Sequence, residues 1–580
     1  MSDLPPSQPP DGMTRRGLLR AATSGGALFV LASLSEVSTA TAAAAASQGP
    51  ALGPQDQATR DTVFQLVNRR TGKAIDVPGA ATTAGTGLIQ HAPSSAVNQQ
   101  FLFITVGEGI DEVYTTHSPT TLGWAVWGGA SDAGAKIVQW TPEHSTSQQW
   151  RRSRTADGYT VVTCVRSGKV LGVSGGSTAD GAAIEQQTPD GGEGQQWRLV
   201  EKGTRVAAWA PSMTTGGQTF TNQTIRMVAH SSVAGSGVRI TLSNQYSDTP
   251  LDIGAVGIAV QANGGEAEPG TSRKVAFSGS RQITIPVGGQ ATSDVIPISV
   301  GAGGNLLVSL YVPNPTGTST WHCDALDTTY LAPGNHTGDE GATAFATTTT
   351  SWYYLAGMDV VSPTAEGVVV AFGDSITDGY ASSRGTYNRW PDFLGRRLGA
   401  EPGGQKLSVV DAGIGGNRVL TDVPNLWQGV SALKRFRRDA LDQPGVKYVI
   451  LFEGINDIGN GAGPNGAPLT AQHLIDGYRT LIDEAHGAGV RIIGATLMPN
   501  GGNAYGGYNT PAAEAIRQSV NTWIRTGGAF DGVIDFDQAM RDPARPAALN
   551  PAYDSGDRLH PNDAGMKAMA DAVDLSLLRN

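Results

Sequence analysis

The hydrophobic rhythm of the chain changes at residue 366. Before it, apolar and polar positions alternate over short runs such as VRITLSN, GIAVQA, RQITIPV and NLLVSLYV, with Gly, Pro, Asn and Asp between them. A period of two over four to eight residues predicts half-buried β-strands joined by turns. After it, continuous apolar runs recur: GVVVAF (367–372), LSVVDAG (407–413), KYVILFE (447–453), VRIIGAT (490–496) and DGVIDF (531–536). Helical patterns fill the gaps at about 388–399, 429–442, 471–488, 511–526 and 562–578. Apolar strands alternating with amphipathic helices predict a parallel sheet covered on both faces. Functional residues are then expected at the carboxyl ends of the strands.

The first part of the alternating region repeats itself. NQQF (98–101), SQQW (147–150) and GQQW (194–197) place Gln99, Gln148 and Gln195 at spacings of 49 and 47 residues. Each is preceded by a turn (AIDVPGA, WAVWGGA, LGVSGGS) and an alternating run (GLIQHA, AKIVQW, AAIEQQ). Three short β units in register predict a closed threefold β architecture, with Phe101, Trp150 and Trp197 filling the shared core. Residues 205–362 carry the remaining short strands and predict a jelly-roll-like β-sandwich. There Trp321, His322 and Asp324 form a polar-aromatic cluster read as a packed loop rather than a second site.

Composition sharpens this picture at a few points. A chain of 580 residues exceeds one compact core and predicts several domains. With 41 basic and 51 acidic residues the net charge is −10, which argues against a nucleic-acid partner. The two cysteines, Cys164 and Cys323, fall in different predicted domains, so no disulfide framework is expected. No C-x-x-C or H-E-x-x-H spacing occurs, and no metal or cofactor is expected. At the N-terminus, TRRGLLR (14–20) precedes the apolar GGALFVLASL and the small-residue stretch STATAAAAAS. This resembles a twin-arginine signal cleaved near Ala40-Thr41-Ala42, which implies a bacterial protein exported already folded. The apolar segment is too short to span a membrane well. Residues 1–42 are read as signal and 43–59 as linker.

The chemistry-bearing residues cluster at the predicted strand ends. Ser375 in GDSIT follows the first strand, IGGNRV (414–419) the second, and GIND (454–457) the third. Asp557 and His560 in DRLHP lie beyond the last. A serine hydroxyl needs a base to become a nucleophile. A histidine serves as that base, and an acid fixes its tautomer. Gly416 can bring a backbone N–H close and Asn456 can offer an amide N–H to a developing oxyanion. Singly, each has a plainer reading: Ser375 as a helix cap, Asn456 as a turn former, His560 as a surface residue. Glu453 also lies at a strand end and is read as a solvated or structural acid.

At these four blocks the sequence resembles the SGNH, or GDSL, hydrolases over about 366–578, with Ile376 where the family name has Leu. The resemblance implies Ser375, His560 and Asp557 as the catalytic triad. It implies Ser375, Gly416 and Asn456 as oxyanion donors, with Gly415 an alternative for Gly416. Residues 60–202 resemble the ricin-type β-trefoil lectins, whose Q-x-W repeats look like the three above. That resemblance implies a sugar site around Asp76, His91 and Asn98. The repeat register puts Ala125 and Gly172 where Asp76 stands, so one competent site is expected, against the alternative that all three repeats are structural.

The expectation is thus a multidomain chain: β-trefoil (60–202), β-sandwich (205–362), and an α/β three-layer SGNH hydrolase with a parallel five-stranded sheet (366–580). The xylan-esterase-like arrangement of sandwich and hydrolase points to a secreted serine esterase that deacylates a carbohydrate. Its partners are then a polysaccharide or glycan and an ester substrate. A lipase, phospholipase or broad aryl-esterase remains an alternative, as does a secreted lectin with an inactive hydrolase domain.

Overall fold

The computed structural model describes residues 61–402, 407–423 and 427–579. The twin-arginine segment (1–42) and the linker (43–59) lie outside the described residues.

Strands between Thr62 and Lys202 form one antiparallel barrel-like sheet of twelve strands. Its core is aromatic: Trp124, Trp150, Trp197 and Phe101 are fully buried, with Trp124 edge-on to Trp150 at 6.3 Å. Two sets of glutamines explain why the sequence repeats. Gln99, Gln148 and Gln195 each donate from Nε2 to a carbonyl seven residues earlier, those of Ala92, Thr141 and Thr188, at 2.8–3.0 Å. Each thereby ties its own loop. A second set closes the ring: Gln139 donates to Ala81 and Thr83, Gln186 to Ala130 and Asp132, and Gln90 to Ser177 and Ala179. Repeat two clasps repeat one, three clasps two, and one clasps three. Buried carbonyls of tight loops need such donors.

Residues 204–362 form a β-sandwich of two main antiparallel sheets. One is centred on Gly235–Ser243 and Leu355–Ser362, the other on Gln223–His230 and Asn305–Val312. Its junction with the trefoil has an apolar patch, Val63, Leu102 and Tyr114 against Val295 and Val361, and two hydrogen bonds, from Arg273 to the Thr120 carbonyl at 2.7 Å and from Ser299 Oγ to the Thr116 carbonyl at 3.2 Å. Its junction with the C-terminal domain is a continuous core. Ser408 Oγ donates to the Ala207 carbonyl at 2.6 Å, and Ser212 Oγ to that of Ala412 at 3.2 Å.

The C-terminal domain has the expected parallel sheet of five strands: Gly367–Gly373, Leu407–Gly413, Val446–Phe452, Arg491–Ala495 and Gly532–Ile534. The second strand is at one edge, followed by the first, third, fourth and fifth. Two helical expectations are corrected. The segment 429–442 starts as an α-helix at Ala432 and widens to a π-turn over Arg437–Leu441. Asp439 lies in this π-turn and pairs with Arg435 of the preceding helical turn at 3.3 Å. The last segment is α-helical over Asp563–Ala572, capped by Asn562, and after a break forms a short 3-10 turn at Leu575–Leu578.

Candidate active site

Ser375 lies just past the carboxyl end of the first strand, Gly367–Gly373, as the first residue of a short helix. The cap of that helix is Asp374, whose carboxyl oxygen accepts the Ile376 N–H at 3.0 Å. Burial pushes the Asp374 carboxyl up to about 7. With Asp374 capping, the Ser375 hydroxyl is left for chemistry. Its Oγ lies 2.9 Å from His560 Nε2.

His560 Nδ1 lies 2.6 Å from Asp557 Oδ2, so Nδ1 carries the proton and Nε2 presents its lone pair to the serine. The other oxygen of Asp557 accepts the N–H groups of Leu559 and His560, each at 2.8 Å. One carboxylate thus sets both the ring and the loop that bears it. Partial burial works to raise its pKa, but the His560 ring and the two N–H groups outweigh this and hold it well below the usual carboxylate range.

The glycine turn stands beside the serine. Asn417 N–H closes it onto the Ile414 carbonyl at 3.1 Å. Gly416 has φ +70°, a conformation that side chains disfavour. Gly415 and Gly416 both line the same cavity as Ser375. Asn456 reaches the cavity from the helix Ile455–Asn460. One of its amide hydrogens goes to the Asn417 carbonyl at 2.8 Å, and its Oδ1 accepts the Tyr508 hydroxyl at 2.9 Å. Those bonds fix the amide and leave one N–H. Asp457 braces the turn's far side by accepting from Val419 and Leu420 at 2.8 and 3.0 Å.

Arg435 ties these parts together, a role that residue type and spacing did not reveal. Fully buried, it donates to the Gly373 and Ala412 carbonyls, both at 2.8 Å, and to Asn417 Oδ1 at 2.8 Å. It also pairs with Glu453 at 3.2 Å and Asp439 at 3.3 Å. Glu453 is therefore a buried structural acid. Removing one partner of a buried ion pair strands the other, at about 3–5 kcal/mol. Arg435→Met is expected to destabilise the protein by that amount, read from its urea unfolding midpoint. Arg435→Met combined with Glu453→Met should recover part of the loss.

Ser375, His560, Gly416 and Asn456 line one cavity of about 420 Å³. Three exposed aromatic residues line it: Tyr380, Trp427 and Tyr505, at 48%, 42% and 41% exposure. The Tyr380 ring packs 4.5 Å from that of His560. The sandwich cluster read as a packed loop is corrected here. Trp321 and His322 end a strand, and His322 and Asp324 line this cavity, because the sandwich packs beside the sheet's carboxyl ends. Both cysteines are free thiols, Cys164 in the trefoil core and Cys323 in this cavity, where burial pushes the thiol up to about 11. Among the described residues, no group of three or more His, Cys, Asp or Glu is placed to hold a metal ion. No helix among them is long and apolar enough to cross a membrane.

In the trefoil, Asp76 and Asn98 come together. Asp76 accepts from Asn98 Nδ2 at 3.0 Å and from Gln99 Nε2 at 2.8 Å. His91 lies on the neighbouring strand, its ring 4.0 Å from Asp180 of the third repeat. At the matching place in that repeat, a Cβ on Gly172 would fall 2.1 Å from Gln187 Oε1. The Gln187 side chain fills the space and takes a hydrogen bond from Gln195 at 3.3 Å, as Asp76 does from Gln99.

Residues 371–568 match the GDSL-like Lipase/Acylhydrolase family. Residues 54–140 and 146–264 match the ricin-type beta-trefoil lectin domain-like family. No curated protein matches the chain. Among solved structures, a GDSL-like lipase from Bacteroides thetaiotaomicron is 21% identical over 37% of this chain and 89% of its own, with a TM-score of 0.28. The designed threefold-symmetric protein ThreeFoil is 37% identical over 24% of this chain and 97% of its own, with a TM-score of 0.23. An exo-beta-1,3-galactanase from Clostridium thermocellum is 28% identical over 24% of this chain and 30% of its own, with a TM-score of 0.23. The chain therefore carries a GDSL-like acylhydrolase domain behind a ricin-type lectin-like domain.

Proposed function

We propose that the protein is an exported serine esterase that removes short acyl groups, acetyl foremost, from a carbohydrate held by its trefoil. The observation that carries this reading is the chain Ser375 Oγ–His560 Nε2 and His560 Nδ1–Asp557 Oδ2, at 2.9 and 2.6 Å, within a cavity that Gly416 and Asn456 also line. Ser375 Oγ attacks the ester carbonyl as His560 Nε2 takes its proton. The N–H groups of Ser375 and Gly416 and the remaining Asn456 amide hydrogen stabilise the oxyanion. His560 returns the proton to the leaving alcohol, which leaves an acyl-serine. Water, activated by the same histidine, then releases the acid. The paired arginines and apolar leader at 14–42 support export in the folded state.

Aromatic faces at the cavity mouth support a ring-shaped alcohol, and the trefoil supports a polymer. Asp76 is the competent sugar acceptor of this reading, its oxygens oriented by Asn98 and Gln99. Tethering the enzyme to its polymer raises the local ester concentration. Release of acetate, butyrate and octanoate from aryl esters, alongside acetate from acetylated xylan, tests the substrate. Acetate is expected to lead both series; a preference for octanoate would favour the lipase reading. Asp76→Ala is expected to abolish retention of the full chain on xylan. It should also lower acetate release from the polymer several-fold relative to release from a soluble aryl acetate.

A further inference from the structure

The sandwich does more than bound the cavity. His322 Nδ1 lies 2.9 Å from the Ser212 carbonyl, and Nε2 lies 3.0 Å from Asp378 Oδ1. A carbonyl and a carboxylate only accept, so both ring nitrogens carry hydrogen and the ring is an imidazolium. Burial opposes that charge, but the Asp378 carboxylate and the two hydrogen bonds outweigh it, and the His322 pKa is raised. The ring also packs 5.3 Å from Trp352.

The second oxygen of Asp378 takes no hydrogen bond among the described residues. Its place is defined by Gly415. A Cβ on Gly415 would stand 3.9 Å from Asp378 Oδ2 and 2.9 Å from the Trp427 ring. A carboxylate oxygen and an exposed aromatic ring thus flank one glycine, next to the proposed oxyanion donor Gly416. That pairing suits a molecule with an apolar C–H face and hydroxyls at its edge, which is the shape of a pyranose. A phenyl or alkyl alcohol would use the ring and leave Asp378 Oδ2 without a hydrogen-bond donor, which is costly in a buried site.

We propose that Asp378 and Trp427 form the alcohol subsite of this esterase, with His322 as the positioning residue for Asp378. Trp427 receives the C–H face of the sugar, and Asp378 Oδ2 accepts a hydrogen bond from a hydroxyl adjacent to the acylated carbon. The substrate class is then an acyl sugar with a free neighbouring hydroxyl. The inference rests on the esterase reading of Ser375.

The test compares kcat/KM for a methyl xyloside carrying one acetyl group and free neighbouring hydroxyls with that for phenyl acetate, which has a ring but no hydroxyl. Asp378→Ala is expected to lower the sugar-to-phenyl ratio by about 10- to 100-fold, mainly through KM, as loss of a hydrogen bond to a charged group does. His322→Gln keeps a donor for Asp378 and should lower it less. A substrate change avoids any question of folding: O-methylation of the neighbouring hydroxyls should cost the wild-type enzyme at least 10-fold. Equal losses on both esters in folded variants, or a wild-type enzyme indifferent to O-methylation, overturn the subsite while the esterase reading stands. A wild-type enzyme inactive on both esters overturns the esterase reading itself.

Discussion

Ser375→Ala is expected to lower kcat by about a millionfold, equivalent to about 8 kcal/mol of lost transition-state stabilisation. The size follows from the geometry. Ser375 Oγ is hydrogen-bonded to His560, and Asp374 performs the capping that would otherwise occupy a serine in that place. His560→Ala should cost about as much, and the double variant no more, because nucleophile and base act as one unit. Strict multiplication of the two losses would mean that they act separately, and a Ser375→Ala enzyme retaining about 1% of its rate would place the chemistry elsewhere. Both variants are expected to fold, since each side chain is small or peripheral to the core. Far-ultraviolet circular dichroism and the melting temperature check this.

Asp557→Asn is expected to lower kcat by about 10⁴-fold with little change in KM. Asparagine preserves the acceptor that holds the Leu559 and His560 N–H groups, so the loop remains. It turns an amide N–H toward His560 Nδ1, however, and forces the proton onto Nε2, where the ring can no longer accept from Ser375. Stability should respond in a defined direction. The Asp557 pKa is depressed in the folded protein, so its contribution is fully present above the ordinary carboxylate pKa of about 3.9 and is lost as pH falls through the folded value. In Asp557→Asn that acid-side loss should shrink, as measured by urea unfolding at pH 5 and pH 3. A variant with near-normal kcat would show that Asp557 does not set the tautomer.

The parts of the molecule that were legible in the sequence are those specified locally. The trefoil glutamines act on loops a few residues away, or on the same position of the next repeat, so their pattern recurs along the chain. The parallel strands are buried on both faces and read as continuous apolar runs. Ser375 and His560 are 185 residues apart, yet both lie at chain positions that strand order brings together. What stayed hidden depends on contacts with no local signature. Arg435 reaches Ser212 across 223 residues, and His322 reaches Asp378 across 56. Arg435 looks like any charged residue on a helix, and only its full burial marks it. His322 did carry a signal, a histidine closing a strand between Trp321 and Cys323, but only the packing of the sandwich turns it toward the serine's cavity. The filling of the third repeat by Gln187 was likewise invisible, because Gly172 announces a missing carboxylate and not what replaces it.

The most direct measurement is the reaction of the folded full-length protein with a fluorophosphonate, followed by mass spectrometry of the intact chain and its peptides. The account predicts one adduct, on Ser375, absent in Ser375→Ala and strongly slowed in His560→Ala. No adduct on the folded wild-type protein, or an adduct on another residue, would contradict it.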